Sequence, residues 1–340
     1  MAVLRVNAAA DGTIPAPGTL STWRETLRSA IACLPAEAPV TVLVHGYRYT
    51  WRPLRGFALH DPHRSLYLLD DLAPCARKRP RTANWPRALG FSERDVRDGL
   101  CIALGWDARH WRPGFDCFAR VHHTAQRTAA ALVTLVRMIA ETDPHRRVDC
   151  LSHSLGARVV LQALRSTPDM PVARAILLGG AEYSAEARAA LATQDRAGGT
   201  TEFYHMIARA NDVYDGLFQL FAPRAPEPGD VPLGVRGLGR SHHRWLDLQL
   251  DHPETRRWLT GQGLAPERPP ERISHWSFYA DPGAMAFYRS ILRDRRRWSI
   301  AAMRGRGLPT EVEPRWSHLI PALRWRQPEA RDQVPGAVEI

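Results

Sequence analysis

Short runs of consecutive apolar residues alternate along this chain with longer stretches in which apolar positions recur every three or four residues. Pro39-Val40-Thr41-Val42-Leu43-Val44 is an unbroken, β-branched run, the pattern of a strand buried on both faces. Gly99 to Trp106, Val148 to Leu151, Ala173 to Leu178 and Phe203 to Ala208 read in the same way. Between them the helical period takes over. A first helix opens near Ser21 and Thr22, buries Leu27, Ile31 and Leu34, and is stopped by Pro35. Ala119 to Glu141 carries Val121, Ala125, Leu132, Leu135 and Ile139 on one stripe, interrupted by Thr128. Val159, Val160, Leu161 and Leu164 follow the fourth run, and an apolar helix spans Pro282 to Leu292. Strands alternating with helices predict an α/β protein, a mostly parallel sheet flanked by helices on both faces. Residues 1–297 read as one domain, interrupted by unpatterned stretches at 47–98 and 221–272. The remainder, 298–340, reads as a C-terminal extension whose periodic positions are Trp316, Leu319, Ile320, Leu323 and Trp325.

Composition narrows this picture in three ways. A 340-residue chain that is 44% hydrophobic can bury a large core. No apolar run approaches the roughly 18 residues that span a bilayer, and the N-terminus lacks a charged start followed by an apolar core. The expectation is a cytoplasmic protein without a membrane span. Cys33, Cys75, Cys101, Cys117 and Cys150 are odd in number and form no C-x-x-C pair, which argues against a disulfide framework or a zinc site. The net charge of +11 invites a nucleic-acid reading. Lys78 is the only lysine, however, and the arginines are scattered apart from Arg77-Lys78-Arg79-Arg81 and Arg293 with Arg295-Arg296-Arg297. That scatter resembles a codon bias more than a patch, so no nucleic-acid partner is expected.

The chemistry concentrates where the fourth run meets its helix. Ser152-His153-Ser154-Leu155-Gly156 sits on an abrupt strand-to-helix turn, where small residues two positions either side of Ser154 let the chain pass its neighbours. Ser154 is the candidate nucleophile, with the helix N-terminus directly behind it. Ser152 stands where the usual G-x-S-x-G pattern has glycine, and capping of the helix by Ser152 or Ser154 is the structural alternative.

Upstream, Val44-His45-Gly46-Tyr47 ends the first buried run with a His-Gly pair. Two backbone N–H groups held there could stabilise a developing oxyanion, and the candidates are the amides of Tyr47 and Leu155. His45, Gly46 and His153 are candidate substrate contacts. Downstream, Arg209-Ala210-Asn211-Asp212 follows a strand. Asp212 is the candidate acid, with Asp215 one helical turn on as the alternative and helix capping as the structural role for Asp212. Among His242, His243, His252, His275 and His318, His275 is chosen as base. It stands in a loop, Ile273-Ser274-His275-Trp276, just before an apolar helix, and packing beside Trp276 is its structural alternative.

Taken together, these motifs resemble the oxyanion, nucleophile, acid and base elements of the α/β-hydrolase superfamily, in its esterase and lipase-like branch, from Pro39 to Arg293. The resemblance implies an eight-strand-type, mostly parallel sheet, the chain order Ser, Asp, His, and neither a metal nor an organic cofactor. It also implies a small-molecule acyl ester as substrate, and the Trp, Phe and Leu content of the two unpatterned stretches suggests an apolar one. The Tyr47 to Asp98 stretch is then a lid or a surface excursion. Retention of the fold without hydrolysis, and acyl transfer to an acceptor other than water, are the alternatives.

Overall fold

A computed structural model describes residues 2–15, 20–52, 60–67, 84–92, 95–109, 116–320 and 322–323. Within them, seven strands form one sheet in the order β1-β3-β2-β4-β5-β6-β7. They are β1 (Val3–Asn7), β2 (Val40–Val44), β3 (Leu100–Gly105), β4 (Val148–His153), β5 (Val172–Leu178), β6 (Glu202–Ile207) and β7 (Trp245–Gln249). Each neighbouring pair is parallel, and one register shift interrupts the β4–β5 ladder at Val148/Asp149. The described sheet is therefore wholly parallel, with seven strands where the resemblance implies eight.

A parallel sheet must be covered on both faces, and the alternation of side chains along β2 shows how. Val40, Val42 and Val44 pack into a core shared with the helices Leu20–Ala32, Cys117–Thr142, Gly156–Ser166 and Ser184–Arg196. Leu43 faces the opposite core, built from Leu66, Tyr67, Trp85, Phe278, Phe287, Ile291, Trp298 and Ile300. The helix Pro282–Arg293 lies on that second face, capped by Asp281, whose carboxylate accepts from the amides of Gly283 and Ala284.

Two strands fall outside the sequence reading. β1 lies on the edge beside β3. β7 lies inside the 221–272 stretch read as an excursion, and that stretch also holds the helix Pro253–Gly261. In β7 all five residues are buried, two of them polar: Asp247 accepts from His205 and from the amides of Leu238 and Gly239, and Gln249 holds Glu313 and Asp251. The described parts of the 47–98 stretch contain the short helices Pro62–Ser65 and Trp85–Ala88. Phe57, Cys75, the Arg77–Arg81 cluster and Trp325 lie outside the described residues. Ser21 and Thr22 stand within the first helix, one and two residues after its start at Leu20.

Candidate active site

β4 carries Ser152 and His153 to the carboxyl edge of the sheet, and the chain reverses at Ser154 with φ +55°. A non-glycine residue in the left-handed region is strained by roughly 1–3 kcal/mol, and here the surroundings enforce it. Ser154 N–H donates to Leu178 O of β5, and Ser154 O accepts from the amides of Ala157 and Ala181. The helix Gly156–Ser166 begins two residues later, aiming its N-terminus at the serine. Gly156 is required by close approach: a Cβ there would lie 2.4 Å from Val44 O and 2.8 Å from His45 O. Ser152 is fully buried, its hydroxyl reaching Ile176 O at 3.4 Å, so a serine fits where the usual motif has glycine.

Under the elbow lies the end of β2. A Cβ on Gly46 would come within 2.7 Å of Ser154 Cβ, so this glycine lets the Ser154 turn sit against the strand. His45 is fully buried and has a structural task. Its Nε2 accepts Trp106 N–H at 3.0 Å, which leaves Nδ1 to donate to Gly46 O at 3.0 Å, and the Trp106 ring stacks on it. Burial accordingly pushes its pKa down to about 3. Among the described residues the N–H groups of Tyr47 and Leu155 meet no protein acceptor, while their neighbours do: Arg48 N–H donates to Ala108 O and Ser154 N–H to Leu178 O.

The second corner of the site is assembled from distant segments. Asp251, just after β7, accepts the N–H groups of Arg209 and Ala210, which fixes the turn after β6. Ala210 O in turn accepts Ser274 N–H, tying the loop that carries His275 to the same turn. His153 Nε2–H donates to His275 O at 2.8 Å, and the His275 ring is stacked on Tyr214 with centroids 4.5 Å apart. His153 is buried, and this sets its pKa down to about 4. His275 Nδ1 lies 2.7 Å from Asn211 Oδ1, and Asn211 Nδ2 donates to Asp215 Oδ1 at 3.0 Å. Burial, with His153 beside it, holds the His275 imidazole well below the usual histidine range.

Asp212, the candidate acid, is engaged elsewhere. It opens the helix Asp212–Phe221, accepts Trp316 N–H at 2.6 Å and pairs with Arg209 at 3.3 Å. The reason is local: in the turn after β6 the residue that meets the His275 ring is Asn211, and the next residue already belongs to the helix. Asp215, the alternative, stands one hydrogen bond behind Asn211.

A family model described as an alpha/beta hydrolase of unknown function (DUF900) matches residues 34–170, from just before β2 to just past the elbow helix. Together with the seven-strand parallel sheet and the strained serine at its edge, that match decides the architecture. The chain has the α/β-hydrolase fold. No curated protein matches its sequence. The matched segment of the hydrolase fold contains His45, Gly46, Tyr47 and Ser154, and ends before Asn211, Asp215 and His275.

In this hydrolase fold Ser154 and His275 line one cleft of about 620 Å³, with Tyr47, Arg48, Phe118, Asn211, Tyr214 and Asp215 also in its wall. Among the described residues no hydrogen bond joins Ser154 Oγ to His275; the two groups share the cleft. Leu217, Phe218 and Phe221 of the Asp212–Phe221 helix complete an apolar side, with Leu217 and Phe221 at the open rim. His45, Gly46 and His153, the expected substrate contacts, are not in the lining: His45 and Gly46 shape the turns beneath the serine, and His153 holds the His275 backbone.

The other histidines serve elsewhere. His242 pairs with Asp195, His243 stacks on His242, His252 caps the Pro253–Gly261 helix, and His318 Nδ1 donates to Glu271 O. Asn211 is the site residue that sequence reasoning passed over. The signal was there, an amide directly before Asp212 at a strand end, and it is ambiguous because asparagine is also an ordinary turn and cap residue. Among the described residues no group of three or more His, Cys, Asp or Glu could hold a metal ion, and no helix is long and apolar enough to cross a membrane.

Proposed function

We propose that this protein is a serine hydrolase that cleaves acyl esters, with Ser154 as nucleophile and His275 as base. The observation that carries the reading is the strained Ser154 backbone, at the head of a helix and in the same cleft as a histidine whose Nδ1 is occupied. Occupied Nδ1 leaves Nε2 with the lone pair, as a general base needs. Serine–base hydrogen bonds are often long in ligand-free sites and tighten when substrate is bound.

In the proposed reaction Ser154 Oγ attacks the acyl carbonyl while His275 Nε2 takes the hydroxyl proton. The carbonyl π pair moves onto oxygen, where the open amides of Tyr47 and Leu155 stabilise it by about 3 kcal/mol each. His275 then gives its proton to the departing alkoxide, leaving an acyl-serine. Water, deprotonated by the same imidazole, releases the carboxylic acid and restores the serine. The apolar side formed by Phe118, Leu217, Phe218 and Phe221 supports an apolar acyl or alcohol group.

The test is labelling with a fluorescent fluorophosphonate, comparing wild type with Ser154→Ala and His275→Ala and locating the adduct by mass spectrometry. The expected result is labelling at Ser154 that both substitutions abolish. A folded wild-type protein that takes no label would move the assignment to a non-catalytic binding protein. Products formed on an added alcohol, in place of free acid, would identify acyl transfer.

A further inference from the structure

Beside His275, where a base of this kind would be met by a carboxylate, stands a neutral amide. The chemistry of the partners fixes every donor in the chain that follows. Ionised Asp215 Oδ1 can only accept from Asn211, so the NH2 of that side chain faces Asp215 and its carbonyl faces the ring. A ring nitrogen meeting a carbonyl at 2.7 Å carries the hydrogen, so Nδ1 is the donor and Nε2 is left to the cleft. From this geometry we propose that Asn211 is the residue that orients His275, and that Asp215 is a positioning residue acting through Asn211. The inference rests on the Ser154–His275 reading above.

The surroundings are built to keep this relay in place. Asp215 is 3% exposed, and a Cβ on Gly234 would lie 2.5 Å from its Oδ2, so neighbouring backbone closes the carboxyl in. The charged groups around it are Arg209, which also pairs with Asp212 and donates to the carbonyls of Gly234 and Val235, together with Asp212 itself and Arg315. Burial and Asp212 raise the Asp215 carboxyl to about 7, against the pull of Arg209 and Arg315. Its Oδ2 has no partner among the described residues. A proton taken up there leaves Oδ1 as the acceptor and the amide in place.

A neutral partner steers the imidazole and stabilises its charged form less than a carboxylate would. The base consequently remains unprotonated at pH values where a carboxylate-paired histidine would already be charged.

The experiment exchanges the two side chains. In Asn211→Asp with Asp215→Asn, His275 Nδ1–H still donates to residue 211, the bond between 211 and 215 reverses so that the new amide donates to the new carboxylate, and the negative charge moves next to His275. Two readouts are followed against pH: the rate of fluorophosphonate labelling at Ser154, and the ¹⁵N resonances of the His275 ring, assigned with His275→Gln. Asn211→Ala is expected to slow labelling about 100-fold in a folded protein. The exchanged protein is expected to label faster than either single variant, with its acidic limb and its His275 titration moved upward by about one unit or more. Labelling of Asn211→Ala within twofold of wild type, or an exchanged protein whose limb and titration stay in place, overturns the proposal. Failure of wild type to label would sink the serine-hydrolase reading alone. The ring resonances would still decide the relay, which requires an Nδ1-protonated His275 in wild type and its loss in Asn211→Ala.

Discussion

The turn that bears Ser154 and the corner that bears the proposed base face each other across one cleft and are built on different principles. The turn is local: β4, Ser154 and the helix Gly156–Ser166 are continuous in sequence, and backbone atoms enforce its shape. The base corner draws on the turn after β6, Asp251 after β7, the 274–275 loop and Trp316, and side-chain hydrogen bonds hold it. A structure fixed by backbone contact tolerates no added atom, whereas one fixed by hydrogen bonds tolerates atoms but not lost partners.

That contrast is best broken first at Gly156. Gly156→Ala puts a methyl against two carbonyl oxygens that cannot move without displacing β2, and is expected to destabilise the fold by about 3 kcal/mol. Thermal unfolding would read it; a melting temperature within a degree of wild type would mean the turn can slide. At the other corner, Asp251→Ala leaves two buried amides without an acceptor, a loss of about 2 kcal/mol. The same substitution should slow Ser154 labelling about tenfold, because the turn carrying Asn211 loosens.

A smaller effect concerns acid. His153 has its folded pKa depressed to about 4 by burial, so the unfolded chain binds a proton that the folded chain refuses between the usual histidine value and pH 4. Its contribution to stability is present above that window and is lost as pH falls through it. His153→Gln should therefore flatten the fall in stability from pH 7 to pH 4, measured by denaturant unfolding at both values. The least change is expected from Asp212→Asn. With its carboxylate on Trp316 N–H and Arg209, the variant should label at Ser154 within about threefold of wild type; a loss on the scale of about 10⁴ would restore Asp212 as the acid.

The same division explains what could be read in advance. β2, β3, β4, β5 and β6 are apolar runs, and the elbow is a five-residue pattern with a steric reason, so both were legible. β7 was not, because Asp247 and Gln249 alternate with apolar residues as they would on a wetted face, yet both are buried and bonded to loops. β1 is a five-residue edge strand with Arg5 exposed, too short to stand out. His275 was legible from its loop and the helix after it. Asn211 was not, since its partners lie at positions 215 and 275, and nothing in one dimension says which of two adjacent residues will face the ring.

Trp316 N–H on Asp212 gives this architecture a temporal order. A ribosome delivers the chain from its N-terminus, so the serine turn is made well before Asp251, His275 and Trp316 exist. Until those segments arrive, a nascent chain carries the Ser154 turn without the histidine proposed as its base. On the proposed mechanism the half-made protein lacks a base for Ser154, and the pair is completed only once the segment that bears His275 has been made.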